Sequence, residues 1–452
     1  METIRSTLSV CPTCAAEVEG QVALDEDKAI LYRECVEHGP AKLLLSRRGR
    51  LYADLDRFYF EILKGDAPCG RITNYWVFVN DTCQMNCPYC SVEMQHPFFQ
   101  EMTLQKYREI IPRYRKAKHT LTGGEPTLHP HLFDFVREAV NNGVTIQLAT
   151  NGIRLADPSY CKQLSDAGVD EIRLSVDSFD QEQAARLGVE QFVDVKLVAL
   201  QNLEALNFPT SLSPTIFKGI NEDQLVACCE FAKDKPFIRS LSVNGFAWVS
   251  TIKGLGPEHI IMPDEMMDLL YKKYASDSRE AMYTFQKALH ALLHLVDIRL
   301  CMNVQIMLFV RSNGTLKPLP AYLNMKRMKK ALARWEHHVN KRLFWRRLTF
   351  AAVLLRSINR KTLLLLPALT KLFVANLVGI NVKHYPEIFL PVVMNTNCNV
   401  YNADKTLGKQ CMSGNLFIQD GHIHHGFSTE TLLNKEKRHA IERTSRTEGF
   451  LP

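Results

Sequence analysis

The 452-residue chain lacks several features that would place it in a membrane or outside the cell. Its first residues, METIRSTLSV, have neither the basic start nor the apolar core of a secretory signal peptide, which predicts a cytoplasmic protein. No uncharged apolar run reaches the roughly eighteen residues that a membrane-spanning helix needs. Internal repeats and low-complexity tracts are also absent, so the length predicts a globular barrel with at least one further module.

Cysteine, by contrast, is abundant, with thirteen residues that a reducing cytosol would keep as metal ligands rather than disulfides. Three of them, Cys83, Cys87 and Cys90, share one loop with the spacing C-x3-C-x2-C. Thiolates at this spacing can bind three irons of a [4Fe–4S] cluster and leave the fourth iron open to a small molecule. The alternatives are unrelated thiols or part of a zinc site, but zinc sites usually pair two short Cys/His dyads.

The residues around this loop support the cluster interpretation. NYWVFVN, residues 74–80, predicts a buried strand that leads into the loop, and the run HTLTGGEPTLHP follows about thirty residues later. Glycines let the backbone approach a ligand closely, and a neighbouring carboxylate can accept from an ammonium group. Together these runs resemble the radical SAM superfamily. The resemblance implies a partial (β/α)6 barrel of the α/β class, in which Gly123, Gly124 and Glu125 meet the amino group of S-adenosylmethionine.

Later apolar runs rich in β-branched residues predict the remaining barrel strands. They occupy residues 144–152, 171–178, 208–221 and 239–247, with helical patterns between them. This alternation predicts a parallel sheet wrapped by helices, with the functional site at the carboxyl ends of the strands. Polar side chains at those ends are candidate contacts to the ribose or methionine part of the cofactor, with turn capping as the alternative: Ser175, Asp177 and Asn221.

A second metal signature lies at the N-terminus. Cys11 and Cys14 form CPTC, and Cys35 and His38 follow in RECVEHGP. Two such dyads, separated by about twenty residues, predict a small knuckle that binds zinc or a single iron, whereas a redox CxxC would not need the second dyad. Four protein ligands leave no open position, so the expected role is structural, and the histidine favours zinc.

The remaining cysteines form two groups. Those in predicted barrel helices are expected to be core residues: Cys161, Cys228 and Cys229. The others lie outside the predicted strands of the barrel: Cys69, Cys301, Cys398 and Cys411. In radical SAM enzymes such additional cysteines often hold an auxiliary cluster, and buried inert thiols are the alternative. The sequence leaves both interpretations open.

Positive charge is concentrated in one segment. Residues 325–371 contain thirteen Lys or Arg and one acidic residue, a net charge of +12 in a chain whose total is +7. Trp335, Phe344 and Trp345 lie among these cations, which predicts basic amphipathic helices that rest on an anionic membrane surface. A helical domain with a solvated basic face is the alternative. Nucleic acid is not expected as a partner, since nothing in the chain resembles an RNA-binding module.

The order of these parts is similar to a subset of radical SAM enzymes that includes archaeal tetraether lipid synthases and dihydropterin-methylating enzymes. The similarity covers most of the chain outside residues 325–385 and extends to the C-terminal run VYNADKTLGKQCMSG. Where such enzymes place a further cysteine, this chain has His422, His424 and His425, so a histidine completes the auxiliary cluster or the cluster is absent. The resemblance also implies a reductant such as ferredoxin or flavodoxin.

The predicted organisation has four parts. They are a metal knuckle with linker (1–68), the barrel (69–257), a helical basic extension (258–385) and a C-terminal hairpin region (386–452). The resemblance implies reductive cleavage of S-adenosylmethionine to a 5′-deoxyadenosyl radical that abstracts hydrogen from an unactivated C–H bond. The basic segment favours a lipid or membrane-associated substrate and a peripheral membrane location. A soluble pterin or peptide substrate is the first alternative, and a non-catalytic iron–sulfur or zinc protein is the second.

Overall fold

The chain forms a small antiparallel sheet at its N-terminus and one large mixed sheet, which together position both metal motifs. These elements are drawn from a computed structural model. The residues that it describes are 1–64, 72–90, 99–248, 254–274, 278–378, 387–396, 413–419 and 421–427.

The N-terminal sheet is a four-stranded meander. Its strands are β1 (Glu2–Val10), β2 (Glu17–Asp25), β3 (Lys28–Cys35) and β4 (Gly39–Ser46), each antiparallel to the next. The β1–β2 and β3–β4 turns therefore lie at the same end of the sheet, which brings the CPTC and CVEH runs together. Helix α1 (Gly49–Arg57) follows and continues into a π-helical turn.

Six parallel strands form the centre of the large sheet. They are β5 (Asn74–Asn80), β6 (Lys118–Gly123), β7 (Ile146–Thr150), β8 (Glu171–Leu174), β9 (Thr210–Leu212) and, after the two-residue β10 (Thr215–Ile216), β11 (Ile238–Gly245). Their spatial order is β5-β6-β7-β8-β9-β11, with every pair parallel. This confirms the predicted α/β arrangement with six strands.

Helices connect these strands and cover one face of the sheet. They are α2 (Leu104–Tyr114), α3 (Leu132–Asn141), α4 (Pro158–Ala167), α5 (Gln181–Arg186), α6 (Val193–Ala205) and α7 (Gln224–Ala232). Val77, Leu121 and Leu148 pack with them in the largest apolar cluster. Cys161, Cys228 and Cys229 are fully buried in the same cluster, which confirms that they are core residues.

The sheet continues beyond residue 257, where the sequence places the end of the barrel. The additional strands are β12 (Val304–Ser312), β13 (Thr315–Pro318), β14 (Phe389–Thr396), β15 (Ser413–Gln419) and β16 (His422–Phe427). Strand β14 runs parallel to β11, while the β15–β16 hairpin adds to β5 at the other edge. Residues distant in sequence thus widen both edges of the parallel core.

The extension is mostly helical, as its amphipathic pattern predicts, but it also contributes strands β12 and β13 to the large sheet. It comprises α8 (Pro263–Tyr274), α9 (Arg279–His294), α10 (Met325–Glu336), α11 (Leu343–Ser357), α12 (Arg360–Leu363) and α13 (Leu366–Val378). Trp335 is buried against Phe58 and Phe350, so α10 and α11 pack onto the body of the protein through a shared apolar cluster. Among the described residues, no helix is long and apolar enough to cross a membrane.

Candidate iron–sulfur and S-adenosylmethionine site

The N-terminal knuckle brings its four predicted ligands together. One ligand atom from each of Cys11, Cys14, Cys35 and His38 lies within 4.8 Å of the others. The Sγ atoms of Cys14 and Cys35 are 3.9 Å apart, and Cys35 Sγ is 3.6 Å from Nδ1 of His38. Three thiols and one imidazole at such distances fit a tetrahedral site for zinc or a single iron. The geometry supports the predicted metal knuckle but does not choose between the two metals.

Hydrogen bonds and apolar contacts hold the knuckle against the rest of the protein. Arg5 Nε donates to an Asp56 oxygen at 2.8 Å, and Ser46 Oγ donates to Asp264 on α8 at 2.8 Å. Apolar side chains of β2 to β4 and α1 share one cluster with Met85 and Tyr89 of the cysteine loop. The metal knuckle therefore helps to hold the loop that carries the second metal motif.

The second motif is the loop that follows β5. Cys83, Cys87 and Cys90 are half-buried, and none is in a disulfide. Three separate thiolates on one loop are suited to bind three different irons of a cluster. Burial raises the pKa of the Cys87 thiol to about 12, and the negative charge of Asp177 adds to the effect. A cation must therefore replace the thiol proton when the ligand is bound.

The turn after β6 lies against the end of β5. Gly123 has φ +136°, and a Cβ on it would lie 2.3 Å from the carbonyl oxygen of Asn80, so only glycine fits. The Gly124 amide donates to the same oxygen at 2.8 Å, and Asn80 Nδ2 donates to the Glu125 carbonyl at 2.7 Å. These bonds fix the GGEP turn beside the cysteine loop.

The Glu125 carboxylate braces this turn from within. Its Oε1 accepts from the Thr127 amide at 3.0 Å, the Thr127 hydroxyl at 2.7 Å and the Thr150 hydroxyl at 2.7 Å. Its Oε2 accepts from the Asn151 amide at 2.7 Å. Each carboxylate oxygen offers about two acceptor sites, so Oε1 is fully used, whereas Oε2 can accept a further hydrogen bond. Glu125 thus ties β6 to β7, and its direct contact with the amino group of the cofactor remains a prediction.

An acceptor that fits an ammonium group lies close by on Asn80. Its side chain is buried, and Oδ1 has no hydrogen-bond partner among the described residues. The atom lies 3.1 Å from the position that a Cβ on Gly123 would take, so it faces the space that the glycine leaves open. A buried acceptor without a donor is costly, which indicates a ligand donor such as the amino group of S-adenosylmethionine. The residues present therefore fit the cofactor.

Asp177 and Asn221 form a bracket on the other side of the loop. Asp177 accepts from the Tyr89 hydroxyl at 2.7 Å and from the Thr215 amide at 2.7 Å. Asn221 Nδ2 donates to the carbonyls of Asp177 and Thr215, and its Oδ1 accepts from the Phe217 amide. Asp177 joins the cysteine loop to the segment that begins at Thr215, and Asn221 holds Asp177 and that segment together. The polar atoms of both side chains therefore already have protein partners. Their predicted contact with the cofactor stays a prediction.

Ser175 differs from these two residues. It is half-buried at the end of β8, and its hydroxyl has no hydrogen-bond partner among the described residues. The backbone amide bonds to the Thr150 carbonyl, which places the side chain at the same edge of the sheet. Of the three strand-end candidates, Ser175 keeps its side chain available for a ligand.

Besides Asn80, two further residues of the site escaped the sequence analysis. Asn151 donates from Nδ2 to Cys83 Sγ at 3.8 Å while its amide holds Glu125, so it links the two motifs. Lys196 on α6 is buried, its charge lowers the pKa of Cys87, and no described carboxylate pairs with it. The position of Asn151 directly after a strand was a usable signal, whereas Lys196 reads as an ordinary helix residue.

The third cysteine group is placed only in part. Cys69, Cys398 and Cys411 lie outside the described residues. Cys301 packs at the margin of the apolar cluster that contains the cysteine loop. Within the described part of the chain, the knuckle is the one group that brings several metal-ligating side chains together. The auxiliary metal site therefore remains a prediction.

Two parts of the chain match models of known protein families. Residues 77–232 match the model of the radical SAM superfamily, and this span contains the cysteine loop and the GGEP turn. Residues 77–232 form a radical SAM domain. Residues 3–47 match the HMPTM N-terminal zinc ribbon domain, which coincides with the knuckle and its four ligands. The superfamily implies a [4Fe–4S] cluster and S-adenosylmethionine, as the sequence resemblance indicated.

Curated relatives of this chain are enzymes. It is 26% identical over 290 residues to 7,8-dihydro-6-hydroxymethylpterin dimethyltransferase of Methanocaldococcus jannaschii, covering 58% of this chain and 57% of the relative. It is 25% identical over 214 residues to GTP 3′,8-cyclase of Campylobacter jejuni, covering 45% and 65%. A solved structure of Streptococcus suis SuiB matches 58% of this chain and 68% of its own, with 12% identity and a TM-score of 0.39. The chain thus spans less than two thirds of both enzymes.

Proposed function

We propose that this protein cleaves S-adenosylmethionine reductively and uses the resulting radical to abstract hydrogen from an unactivated C–H bond of a polar substrate. One observation carries the proposal. The cysteine loop, the GGEP turn and the end of β8 meet at the carboxyl ends of the parallel strands. Hydrogen bonds through Asn151, Glu125 and Asp177 join these three parts. Such an arrangement holds a cluster beside an ammonium-binding turn.

The relatives favour a soluble substrate over a lipid. Their names refer to a hydroxymethylpterin and to GTP, both of which are polar heterocycles. They support the soluble substrate that the sequence left as an alternative, and they give no support to the expected lipid substrate. The reaction that follows hydrogen abstraction, whether methylation or C–C bond formation, is not determined by the motifs.

Different residues of the chain bind the cluster and the cofactor in this proposal. When bound, the cluster supplies the electron that splits S-adenosylmethionine into methionine and a 5′-deoxyadenosyl radical. Cys83, Cys87 and Cys90 hold the cluster. Asn80 and the turn at Gly123 receive the amino group, while Ser175 offers a hydroxyl at the next strand end.

Anaerobic reconstitution with iron and sulfide, followed by reduction, tests this function. Wild-type protein is expected to release 5′-deoxyadenosine from S-adenosylmethionine, and the triple variant Cys83→Ala, Cys87→Ala, Cys90→Ala is expected to release none. Cys161→Ala removes a buried thiol far from the motif and serves as the control. Retained cleavage in the triple variant would overturn the proposal.

A second candidate function, attachment to an anionic membrane, rests on a separate observation. Large apolar side chains of α11, α12 and the adjoining turn are exposed, and we call this set the docking surface: Leu343, Phe344, Trp345, Leu348, Leu355, Leu363 and Leu364. Exposed cations lie among them, and no described carboxylate pairs with them: Arg342, Arg356, Arg360 and Lys361. Apolar groups ringed by unpaired cations fit the interface of an anionic bilayer.

Liposome sedimentation tests this attachment directly. The protein is expected to pellet with vesicles that contain phosphatidylglycerol and to remain in solution with pure phosphatidylcholine. Salt should weaken but not abolish the binding, because screening acts on the cations and not on the inserted apolar groups. Absence of the protein from phosphatidylglycerol pellets at low salt would rule out this second function.

A further inference from the structure

The inner face of the barrel sheet, which points away from α2 to α7, carries polar side chains. Successive strand residues point to opposite faces, and those between the core residues Val77, Leu121, Leu148 and Ile172 therefore point inward. Strand register sets four of them side by side, from β5 to β8: Trp76, Thr120, Gln147 and Glu171. The next inward positions are Arg173, Ser211 and Ser240.

Most of these polar groups satisfy one another. Thr120 Oγ1 lies 2.9 Å from Gln147 Oε1, and Ser240 Oγ donates to Ser211 Oγ at 2.8 Å. Lys118 Nζ is 3.6 Å from the buried carboxylate of Glu171. A hydrocarbon chain in this interior would strip water from these groups without replacing its hydrogen bonds, which is unfavourable. The inner face is therefore suited to a ligand that is itself polar.

Two groups of this face are exceptions. The carboxylate oxygens of Glu171 have no hydrogen-bond partner among the described residues, and its charge acts on the nearby guanidinium of Arg173. Arg173 itself has hydrogen-bonding capacity that is not used up. Its guanidinium lies over the ring of Trp76 at 4.8 Å, and Nε donates to Ser213 Oγ at 3.1 Å. No described residue accepts from Nη1 or Nη2. The side chain is half-buried, and its pKa, lowered by burial to about 10, leaves it charged at neutral pH. Stacking and one bond thus fix the orientation of a guanidinium whose outer edge remains free.

The position of Arg173 relates it to the cofactor site. It precedes Ser175 by two residues on β8, which places it about 7 Å below the strand end at a rise of about 3.3 Å per residue. The two residues point to the same face of the sheet. A small ligand held by Arg173 would therefore extend towards the edge where the cysteine loop and the GGEP turn meet.

We propose that Arg173 binds an oxyanion of the substrate, a carboxylate or a phosphate, inside the barrel. The two free nitrogens of a guanidinium match the two oxygens of such a group. This inference rests on the proposed function, and it names the substrate class as a small polar molecule that carries an oxyanion. An alkyl chain is excluded as the part of the substrate that fills this interior.

Equilibrium binding to the reconstituted full-length protein tests the inference, with two anionic probes. 6-Carboxypterin represents the carboxylate and is compared with neutral 6-hydroxymethylpterin, while GTP represents the phosphate and is compared with guanosine. One anionic probe is expected to bind at least about tenfold more tightly than its neutral counterpart. Arg173→Gln should then weaken that probe by about tenfold to a hundredfold, since hydrogen bonds to charged groups are worth that much. Arg173→Lys should fall between the two.

The control is Arg115→Gln, which changes an exposed arginine outside the interior and should leave both affinities unchanged. Thermal unfolding and the visible absorbance of the cluster show that each variant is folded and loaded. Equal affinity of Arg173→Gln and wild type for every probe, or no preference for either anion over its neutral counterpart, would overturn the inference. Since binding is read without S-adenosylmethionine cleavage, this failure is distinct from a failure of the proposed function.

Discussion

The inner face of the barrel sheet and the docking surface depart from ordinary protein surfaces in opposite directions. Inside the barrel, Arg173 and neighbouring serines and threonines occupy positions where apolar side chains are cheaper to bury. On the docking surface, Phe344 and Trp345 of α11 face solvent, although Phe350 of the same helix and Trp335 of the preceding helix α10 are buried. Both departures carry a free-energy cost for the isolated protein.

The difference teaches that the two regions are built for different ligands. Polar groups that are enclosed and preorganised fit a small polar molecule, because such groups gain most when a partner replaces water. Exposed apolar groups among cations fit an extended anionic and apolar surface. A soluble substrate inside the barrel and a membrane outside it are therefore compatible, whereas the sequence alone had linked the basic segment to the substrate.

The largest expected effect is the loss of S-adenosylmethionine cleavage when the cofactor site alone is disrupted. Gly123→Ala would place a Cβ 2.3 Å from the Asn80 carbonyl at a φ of +136°, so the GGEP turn has to move and S-adenosylmethionine cleavage should be lost. Gly143→Ala has a φ of +69° with no atom within 4 Å of the new Cβ, which makes it the matched control for backbone strain. The assay is 5′-deoxyadenosine release, with liposome binding unchanged in both variants. Full cleavage by Gly123→Ala would contradict this account of the turn.

Acid is expected to destabilise the barrel and the helical extension. Burial lowers the pKa of His119, beneath the barrel helices, and of His290, on α9, to about 4. The unfolded chain takes up these protons below about pH 6.5, so stability is complete above that pH and falls as the pH drops towards 4, by up to about 3 kcal/mol per histidine. Chemical denaturation at pH 7 and pH 5 measures the loss.

His290→Leu separates the two contributions. This variant should lose less stability between pH 7 and pH 5 than wild type, because a leucine cannot take up a proton in the unfolded state. The exposed His337 provides the control substitution, His337→Leu, which should leave the pH dependence as in wild type. An identical pH dependence for wild type and His290→Leu would show that the buried imidazole does not resist protonation.

Membrane binding by the docking surface should depend more on its two aromatic residues than on any single nearby cation. Phe344→Ser with Trp345→Ser should weaken binding to phosphatidylglycerol vesicles by about tenfold, since each ring loses part of its transfer free energy. Val198→Ser with Leu206→Ser changes exposed apolar residues elsewhere and serves as the control. Arg347 is unsuited to such a test because its guanidinium donates to the Leu295 carbonyl. Equal binding by both double variants would leave the docking surface without a role.

The smallest expected effect concerns Lys196 of α6, whose buried charge lies near the predicted cluster ligand Cys87. A buried ammonium near Cys87 stabilises negative charge, and the reduced cluster carries one more electron than the oxidised cluster. Lys196→Met should therefore lower the reduction potential by an amount on the order of tens of millivolts. Redox titration followed by electron paramagnetic resonance measures the shift, with the exposed Lys162→Met as the control. An unchanged potential would assign Lys196 a packing role.

Local sequence determined the metal motifs and the barrel strands. Ligand spacing in CPTC, CVEH and C-x3-C-x2-C is a property of short loops, and the alternation of apolar strands and helical patterns reports burial directly. The six parallel strands confirm the predicted barrel, and the four residues of the knuckle lie together as expected. The cluster ligands of the C-x3-C-x2-C loop stay a prediction. The role of Glu125 could not be predicted this way, because its partners Thr150 and Asn151 come from the next strand.

Only the tertiary structure decided which chemical groups are left free. The sequence by itself placed Trp335 and Trp345 in one basic amphipathic segment, yet packing against Phe58 buries the first and leaves the second exposed. It likewise gave no sign that Asn80 Oδ1 and the outer edge of Arg173 lack partners among the described residues. The physical reason is that a hydrogen bond or an apolar contact is satisfied in space, by residues that strand order and register bring together from distant parts of the chain.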